Sequence, residues 1–130
     1  MGGEMATTPM PQHHELPSGA RVRLRHPVRA DADGLRALVG EEEAAGLLRF
    51  DPRRRAVVCA VDFEEVVGVG AIALQRDAAP DLVAVAPRHG EPLADVLETV
   101  LRSRAQACRR GVAQRHGFPV RALRRIARRP

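Results

Sequence analysis

The chain has 130 residues, of which 45% are hydrophobic and 28% charged, and its formal net charge is +5. This length fits one compact domain, and the apolar content argues against a wholly disordered protein. No stretch approaches the ~18 uninterrupted apolar residues of a membrane span, which predicts a soluble protein. The N-terminus lacks an apolar signal core, and we therefore expect a cytoplasmic location.

Lysine, tyrosine and tryptophan are absent from the sequence. Lysine chemistry and acid catalysis by tyrosine are thereby excluded. Stacking on nucleic-acid bases would depend on Phe50, Phe63 and Phe118 alone, which weakens a single-strand-binding interpretation. The two cysteines, Cys59 and Cys108, lie within apolar patterns and not at metal-ligand spacing, so we expect reduced, buried thiols.

Charge is unevenly placed along the chain. Residues 1–101 carry 11 arginines against 16 acids, whereas the residues from Arg102 onward carry 10 arginines and no acid. Such a basic tail, residues 112–130 in the predicted domain plan, can contact nucleic acid, an anionic membrane or the acidic body of the protein. No nucleic-acid reader motif accompanies it, which favours a solvated face or self-association over nucleic acid.

The first 19 residues are rich in Pro, Gly, Thr and other polar residues and show no periodicity, which predicts a disordered leader. His13 and His14 are adjacent but lack further ligands, so no metal site is predicted. From Ala20, hydrophobic residues alternate with arginines, as in a half-exposed strand that ends near Pro27.

Two short helices are expected next. Asp31 is a candidate N-cap for the first, whose Leu35 and Leu38 fall at helical spacing, and Gly40 stops or bends it. The segment EEEAAGLLRF, residues 41–50, predicts the second, with glutamates where the helix dipole favours them.

A hairpin and a single buried strand are predicted in the middle of the chain. The runs 56–61 and 66–74 are rich in β-branched residues and are joined across residues 62–65, which favours an antiparallel hairpin. Gly68 and Gly70 in the second run indicate a bulge or a close approach by another backbone. The segment DLVAVAP then predicts one buried strand.

The strongest helix prediction follows Pro92, which suits a first helical turn. Five apolar residues fall on one stripe: Leu93, Val96, Leu97, Val100 and Leu101. Gly111 supplies a stop. The segment VAVAPRHGEPLADVLETVL therefore runs from a strand through a Pro- and Gly-containing turn directly into a helix, and amides at such a helix start can hold a phosphate or pyrophosphate.

This order of elements resembles the GNAT superfamily of acyl-CoA-dependent N-acetyltransferases. RVRLRHPVRADADGLRALV looks like the opening strand and first helix of that family, VVCAVDFEEVVGVGAIAL like its hairpin, and VAPRHGEPLADVL like its cofactor loop. The resemblance covers residues 20–111 and implies a mixed, mostly antiparallel α/β sheet flanked by helices. It also implies acetyl-CoA as co-substrate and acetyl transfer to an amine, without indicating which amine.

The resemblance also assigns site residues. His89 takes the Arg or Gln position of the family's loop motif, Pro92 the first glycine and Ala94 the last small residue, and Arg88 is placed to contact phosphate. The implied cofactor-binding residues are Val85, Arg88, His89, Gly90, Glu91, Leu93 and Ala94. Candidates for the base that deprotonates the amine are Asp81, Glu64 and Glu65, each of which also fits an ordinary solvated turn carboxylate.

The C-terminal half looks incomplete beside the family pattern. QRHGFPVR resembles a later turn of that fold but begins three residues after Gly111, so a strand and most of a helix are missing, and ALRRIARRP suggests a short basic helix. An alternative function is therefore a shortened, non-catalytic binding module. In that version the sheet edge left by the missing strand invites a homodimer.

Overall fold

The computed structural model describes residues 10–74, 79–109 and 125–127. Its strands are β1 (Gln12–Glu15), β2 (Arg21–Arg25), β3 (Arg55–Asp62), β4 (Glu65–Ala73), β5 (Leu82–Val85) and β6 (Arg125–Ala127). Its helices are α1 (Ala32–Val39), α2 (Glu41–Leu48) and α3 (Gly90–Arg109), and a 3₁₀ turn at Arg29–Asp31 precedes α1.

The six strands form one sheet in the order β1-β2-β3-β4-β5-β6. The first five are antiparallel to their neighbours, and β6 pairs with β5 in parallel. The mixed, mostly antiparallel α/β architecture is confirmed. No helix in the described part of the chain is long and apolar enough to cross a bilayer.

Side-chain alternation along the strands divides the core between the two faces of the sheet. On one face, Val58 and Ala60 of β3 join a cluster with the leucines of α3. On the other face, Val57, Cys59 and Val61 pack with buried residues of α1 and α2. Because successive residues of a strand point to opposite faces, the nearly continuous apolar run of β3 feeds both clusters at once.

The two glycines of β4 let α3 lie close to the sheet. A Cβ added to Gly70 would lie 2.6 Å from Leu101 Cδ1, and one added to Gly68 would lie 3.1 Å from Leu93 Cδ2. The register between β3 and β4 shifts after Ala60. Ala60 faces Gly68, whereas the next residue of β3, Val61, faces Val66, so β4 carries a bulge. The prediction of a bulge or close approach at these glycines is confirmed, although the approaching groups are mainly leucine side chains.

The N-terminal segment differs from the expected disordered leader. Residues 12–15 pair with β2, with His14 opposite Val22, and Leu16 is buried in the cluster beneath α3. This pairing is a tertiary contact that gives hydrogen-bond partners to the backbone groups along the outer edge of β2. The polar sequence of residues 12–15 contains no local pattern that predicts it. Residues 1–9 lie outside the described part.

The C-terminal segment also differs from expectation. Residues 125–127 form a strand where a short basic helix was suggested, and they pair with Val83–Val85. The backbone groups at this edge of β5 need hydrogen-bond partners, which a strand supplies and a helix does not. The sheet edge on which the homodimer hypothesis depended is therefore covered at β5. Gly111, the QRHGFPVR segment and the rest of the tail lie outside the described residues.

Asp31 does not act as the side-chain N-cap of α1. Its buried carboxylate instead accepts hydrogen bonds from both terminal nitrogens of Arg25, at 2.8 and 2.9 Å, and from the Val28 N–H at 2.7 Å. Cys59 Sγ lies 3.7 Å from the same carboxylate. We call these four residues the Asp31 cluster, which ties the end of β2 to the start of α1.

Candidate functional site

Residues 86–94, which form the turn after β5 and the first residues of α3, are here called the β5–α3 joint. The Ala86 carbonyl accepts hydrogen bonds from the N–H groups of His89 and Gly90, at 3.0 and 3.1 Å. Gly90 has a φ of 53°, which side-chain-bearing residues rarely adopt. Two of the amides expected to hold the cofactor are thus used to close the turn, and Pro92 has no N–H to offer.

Four polar side chains meet beside this turn, and we call them the joint cluster: Asp62, Glu65, Arg88 and His89. Arg88 donates to Glu65 Oε1 at 2.8 Å and, through Nε, to His89 Nε2 at 3.3 Å. His89 is buried, and its Nε2 lies 3.7 Å from Asp62 Oδ2, beyond hydrogen-bond distance.

The antiparallel topology explains why the hairpin and the joint meet. Gly68 of β4 lies opposite Val85 of β5, so the start of β4 and the end of β5 share one end of the sheet. Asp62 and Glu65 flank the turn that leads into β4 and therefore lie beside Arg88 and His89. Asp62 was missed in the sequence, although its position at a hairpin turn antiparallel to the predicted cofactor strand was a usable signal.

The structure brings two of the three predicted base candidates to the joint and separates the third. Glu64 and Glu65 lie at the turn of the hairpin, at the same end of the sheet as the joint. Asp81 lies at the other end of β5, a strand of four residues that spans about 13 Å. There its carboxylate is 3.8 Å from Arg55.

None of the three candidate bases is buried. The side chain of Glu65 is 64% exposed and that of Asp81 is 49% exposed, and Glu64 is exposed as well. A carboxylate works as a base near neutral pH when burial raises its pKa toward that range. The surroundings of these three groups do not supply that burial.

Besides His89 and Gly90, whose amides close the turn, the other five predicted cofactor-binding residues fall into two groups. Val85, Leu93 and Ala94 are buried in the cluster beneath α3, so their side chains are not available to a ligand. Arg88 and Glu91 are exposed at the surface of the joint. Only the second group presents charged side chains to solvent.

Two cavities lie away from the joint, and the sequence predicted neither. The larger, about 410 Å³, lies at the opposite end of the sheet, between His26, Phe50, Arg55, Leu74 and Arg104. We call it the Arg55 cavity. The smaller, about 270 Å³, lies between His14 of β1 and the part of α3 that carries Val96 and Thr99. Because residues from several elements form each cavity, no local sequence pattern marks them.

Comparison with known proteins yields no relative. No protein-family model matches the chain, and no curated protein or solved structure matches it. The function must therefore be inferred from the arrangement of the elements and from the chemistry of the joint.

Proposed function

We propose that this chain is a GNAT-type domain that binds an acyl-CoA thioester at the β5–α3 joint and transfers its acetyl group to an amine. The supporting observation is the arrangement at β5, which pairs in parallel with β6 and leads directly into α3. Ligands of α/β sheets bind outside the carboxyl ends of such strands, and a helix that starts there attracts the negative charge of a pyrophosphate.

Arg88 supports binding of an anion at this position. Its side chain is 53% exposed beside the start of α3, and its partner Glu65 is also on the surface. An exposed ion pair is weak, so a pyrophosphate with more negative charge competes well for the guanidinium. Since the His89 and Gly90 amides are already bonded to Ala86, we expect Arg88 and the helix dipole to contribute more than backbone donors.

Transfer would proceed by direct attack of the amine nitrogen on the thioester carbonyl while both are bound, so that a C–N bond forms, the C–S bond breaks and coenzyme A leaves as a thiolate that takes up a proton. Proximity would be the main source of acceleration. Glu64 and Glu65 lie at the same end of the sheet as the joint and remain the candidates for accepting the amine proton. Asp81 lies at the opposite end of β5 and is a poorer candidate for a thioester whose pyrophosphate is at the joint.

A second candidate function is acyl-CoA binding without turnover. The observation that favours it is the exposure of all three candidate carboxylates, two of which are engaged in ion pairs with Arg88 and Arg55. In this version the chain is a binding module that holds acyl-CoA at the β5–α3 joint and lacks an effective base.

A thermal-shift experiment tests the binding step that both candidates share. Acetyl-CoA at saturating concentration should raise the melting temperature, because a ligand that binds only the native state stabilises it by mass action. Coenzyme A should act similarly, whereas pantetheine, which lacks the pyrophosphate, should give a much smaller shift. An equal shift with pantetheine, or no shift with acetyl-CoA, would overturn the proposed binding mode.

Gly90→Val is the matching variant, since it places a side chain at the start of α3 and should abolish the shift. Gly19→Val is its control, because Gly19 also has a positive φ, 94°, but lies in the β1–β2 turn away from the joint. Release of free thiol from acetyl-CoA in the presence of a panel of amines then separates the two candidates. Binding without thiol release would favour the non-catalytic module.

A further inference from the structure

His89 is the most buried side chain of the joint cluster, and one of its ring nitrogens faces two neighbours of opposite kind. Its side chain is 6% exposed, whereas that of Asp62 is 25% exposed and Arg88 and Glu65 are on the surface. The Nε2 atom lies 3.3 Å from Arg88 Nε and 3.7 Å from Asp62 Oδ2. The first neighbour is a hydrogen-bond donor and the second, when ionised, is an acceptor. One nitrogen cannot serve both at once.

The hydrogen bond from Arg88 determines the protonation state of Nε2 in the structure. A guanidinium has donors only, so its Nε–H needs the lone pair of a neutral imidazole, whose single proton is then on Nδ1. A proton added to Nε2 removes that lone pair and creates a donor for Asp62. The charge state of the ring therefore decides which of the two neighbours it binds.

The surroundings determine which side chain moves when the ring gains its proton. His89 is held by burial and by the hydrogen bond from its N–H to the Ala86 carbonyl, at 3.0 Å. A displacement of less than about 1 Å brings Nε2 within hydrogen-bond distance of Asp62. Arg88 is repelled by the imidazolium and has solvent to move into, since its side chain is 53% exposed. Its other contact, to Glu65, is an exposed and therefore weak ion pair.

The charges around the ring make a single proton important. Besides His89, residues 62–65 and 86–95 carry one arginine and five acids: Arg88, Asp62, Glu64, Glu65, Glu91 and Asp95. An anion at the start of α3 meets mostly negative side chains while His89 is neutral. When His89 is protonated, the anion meets an added positive charge and a guanidinium that is no longer bonded to the ring.

We propose that protonation of His89 transfers its Nε2 from Arg88 to Asp62 and frees the Arg88 guanidinium to bind a phosphate group at the start of α3. The proton comes from solvent and stays on the ring. The transfer is a property of the chain alone, whereas its effect on a ligand rests on the proposed acyl-CoA function. Affinity for acetyl-CoA should rise as pH falls through the range in which histidines titrate, about pH 8 to pH 5. Because such coupling is reciprocal, a bound pyrophosphate also favours the proton on His89.

Nuclear magnetic resonance of the ligand-free chain tests the transfer. Nitrogen and proton spectra follow the His89 ring and the Arg88 Nε–H between about pH 8 and pH 5. Both signals should change together, as Nε2 gains a proton and the Arg88 Nε–H becomes open to exchange with water. An Arg88 signal that stays constant while the ring titrates overturns the proposal, and so does a ring that stays neutral throughout this range.

Two variants of the hairpin turn test the role of Asp62 in the same spectra. Asp62→Asn removes the negative acceptor of the imidazolium, so the coupled change should occur at lower pH. Glu64→Gln is the matched control, because it removes one negative charge from the same turn but not the carboxylate that lies 3.7 Å from Nε2. It should shift the change less. Equal shifts in the two variants would exclude Asp62 as the second partner of the ring and overturn the proposal.

Calorimetry with acetyl-CoA measures the effect on ligand binding. Phosphate monoesters also titrate near about pH 6, so the wild type is compared with His89→Gln, in which the ligand and the other histidines titrate as before. The ratio of the affinities at about pH 5.5 and pH 8 should be at least about fivefold larger for the wild type. A thermal melt confirms that the variant folds. If it does not, Arg88→Ala replaces it, since a chain without this guanidinium should lose most of the pH effect.

The two measurements separate this inference from the proposed function. Coupled signals together with equal affinity ratios in the wild type and His89→Gln would overturn the link between the proton and the ligand. Coupled signals without acetyl-CoA binding at either pH would overturn the acyl-CoA function and leave the transfer established. Acetyl-CoA binding with an Arg88 signal that does not follow His89 would do the reverse.

Discussion

Two arginine–carboxylate pairs in this protein have the same shortest distance, 2.8 Å, and very different surroundings. In the Asp31 cluster the carboxylate is 5% exposed and Arg25 is 23% exposed. In the joint cluster Glu65 is 64% exposed and Arg88 is 53% exposed. The comparison shows that the length of an ion pair does not indicate its energetic role, which depends on burial and on the other donors available.

The buried pair has partners that the exposed pair lacks. Asp31 accepts from two guanidinium nitrogens and from the Val28 N–H, so its charge is compensated although water is excluded. Glu65 has the Arg88 contact and solvent. Removing one partner of the buried pair leaves an uncompensated charge, whereas removing one partner of the exposed pair leaves a group that water solvates.

The largest expected effect comes from Asp31→Ala. The variant leaves Arg25 and the Val28 N–H without their acceptor, and we expect the free energy of unfolding to fall by about 3 kcal/mol, near the lower end for buried pairs because Arg25 keeps some solvent contact. Urea denaturation at neutral pH measures this change. Asp33→Ala, two residues further on, is the control: the Asp33 side chain is 95% exposed, so its loss should leave the midpoint unchanged. Equal effects from the two variants would contradict the comparison.

Acid titration gives the next effect. Burial acts to raise the pKa of Asp31, but the hydrogen bonds from Arg25 and Val28 together outweigh burial and hold that pKa below its usual value. A carboxyl whose pKa is lowered in the folded state stabilises the protein above its unfolded pKa, about 3.9, and loses that contribution as pH falls through the folded value.

The stability difference between the wild type and Asp31→Asn should therefore be full at neutral pH and shrink below about pH 4. Denaturation curves of both proteins at a series of pH values measure the difference directly, and acids common to both proteins cancel. A difference that stays constant down to the lowest pH would show that the charge of Asp31 contributes nothing.

Much of the fold could be predicted because its signals are local. Arginine and apolar residues alternate through β2, and the five-residue apolar stripe of α3 is continuous, so the sequence period alone identifies both elements. The small residues Gly68 and Gly70 indicated a close approach before its partner was known. By contrast, β1 and β6 are short polar or basic segments that become strands through pairing with β2 and β5. A segment of three or four residues is too short for a hydrophobic period to predict such a tertiary contact.

The polar sites were harder to predict than the fold. Arg88 and Glu65 are 23 positions apart in the chain, and each was assigned a separate role, phosphate contact and base, without a sign that they bind each other. Asp31 was expected to cap a helix, because it lies just before a segment with apolar residues at helical spacing. That position suits an N-cap as well as it suits the buried ion pair with Arg25. Ion pairs between distant segments depend on register and on the crossing of elements, neither of which composition or spacing determines.

The smallest stability effect, and the one that separates structure from ligand binding, is expected at the exposed pair. Glu65→Gln and Arg88→Ala should each leave the urea midpoint within measurement error, because both side chains are solvated when the pair is broken. Their effects on acetyl-CoA affinity, measured by calorimetry, should be opposite. Glu65→Gln releases the guanidinium for the pyrophosphate and should tighten binding, whereas Arg88→Ala should weaken it. A lower midpoint comparable to that of Asp31→Ala would instead make the joint cluster a structural element of the fold, despite its exposure.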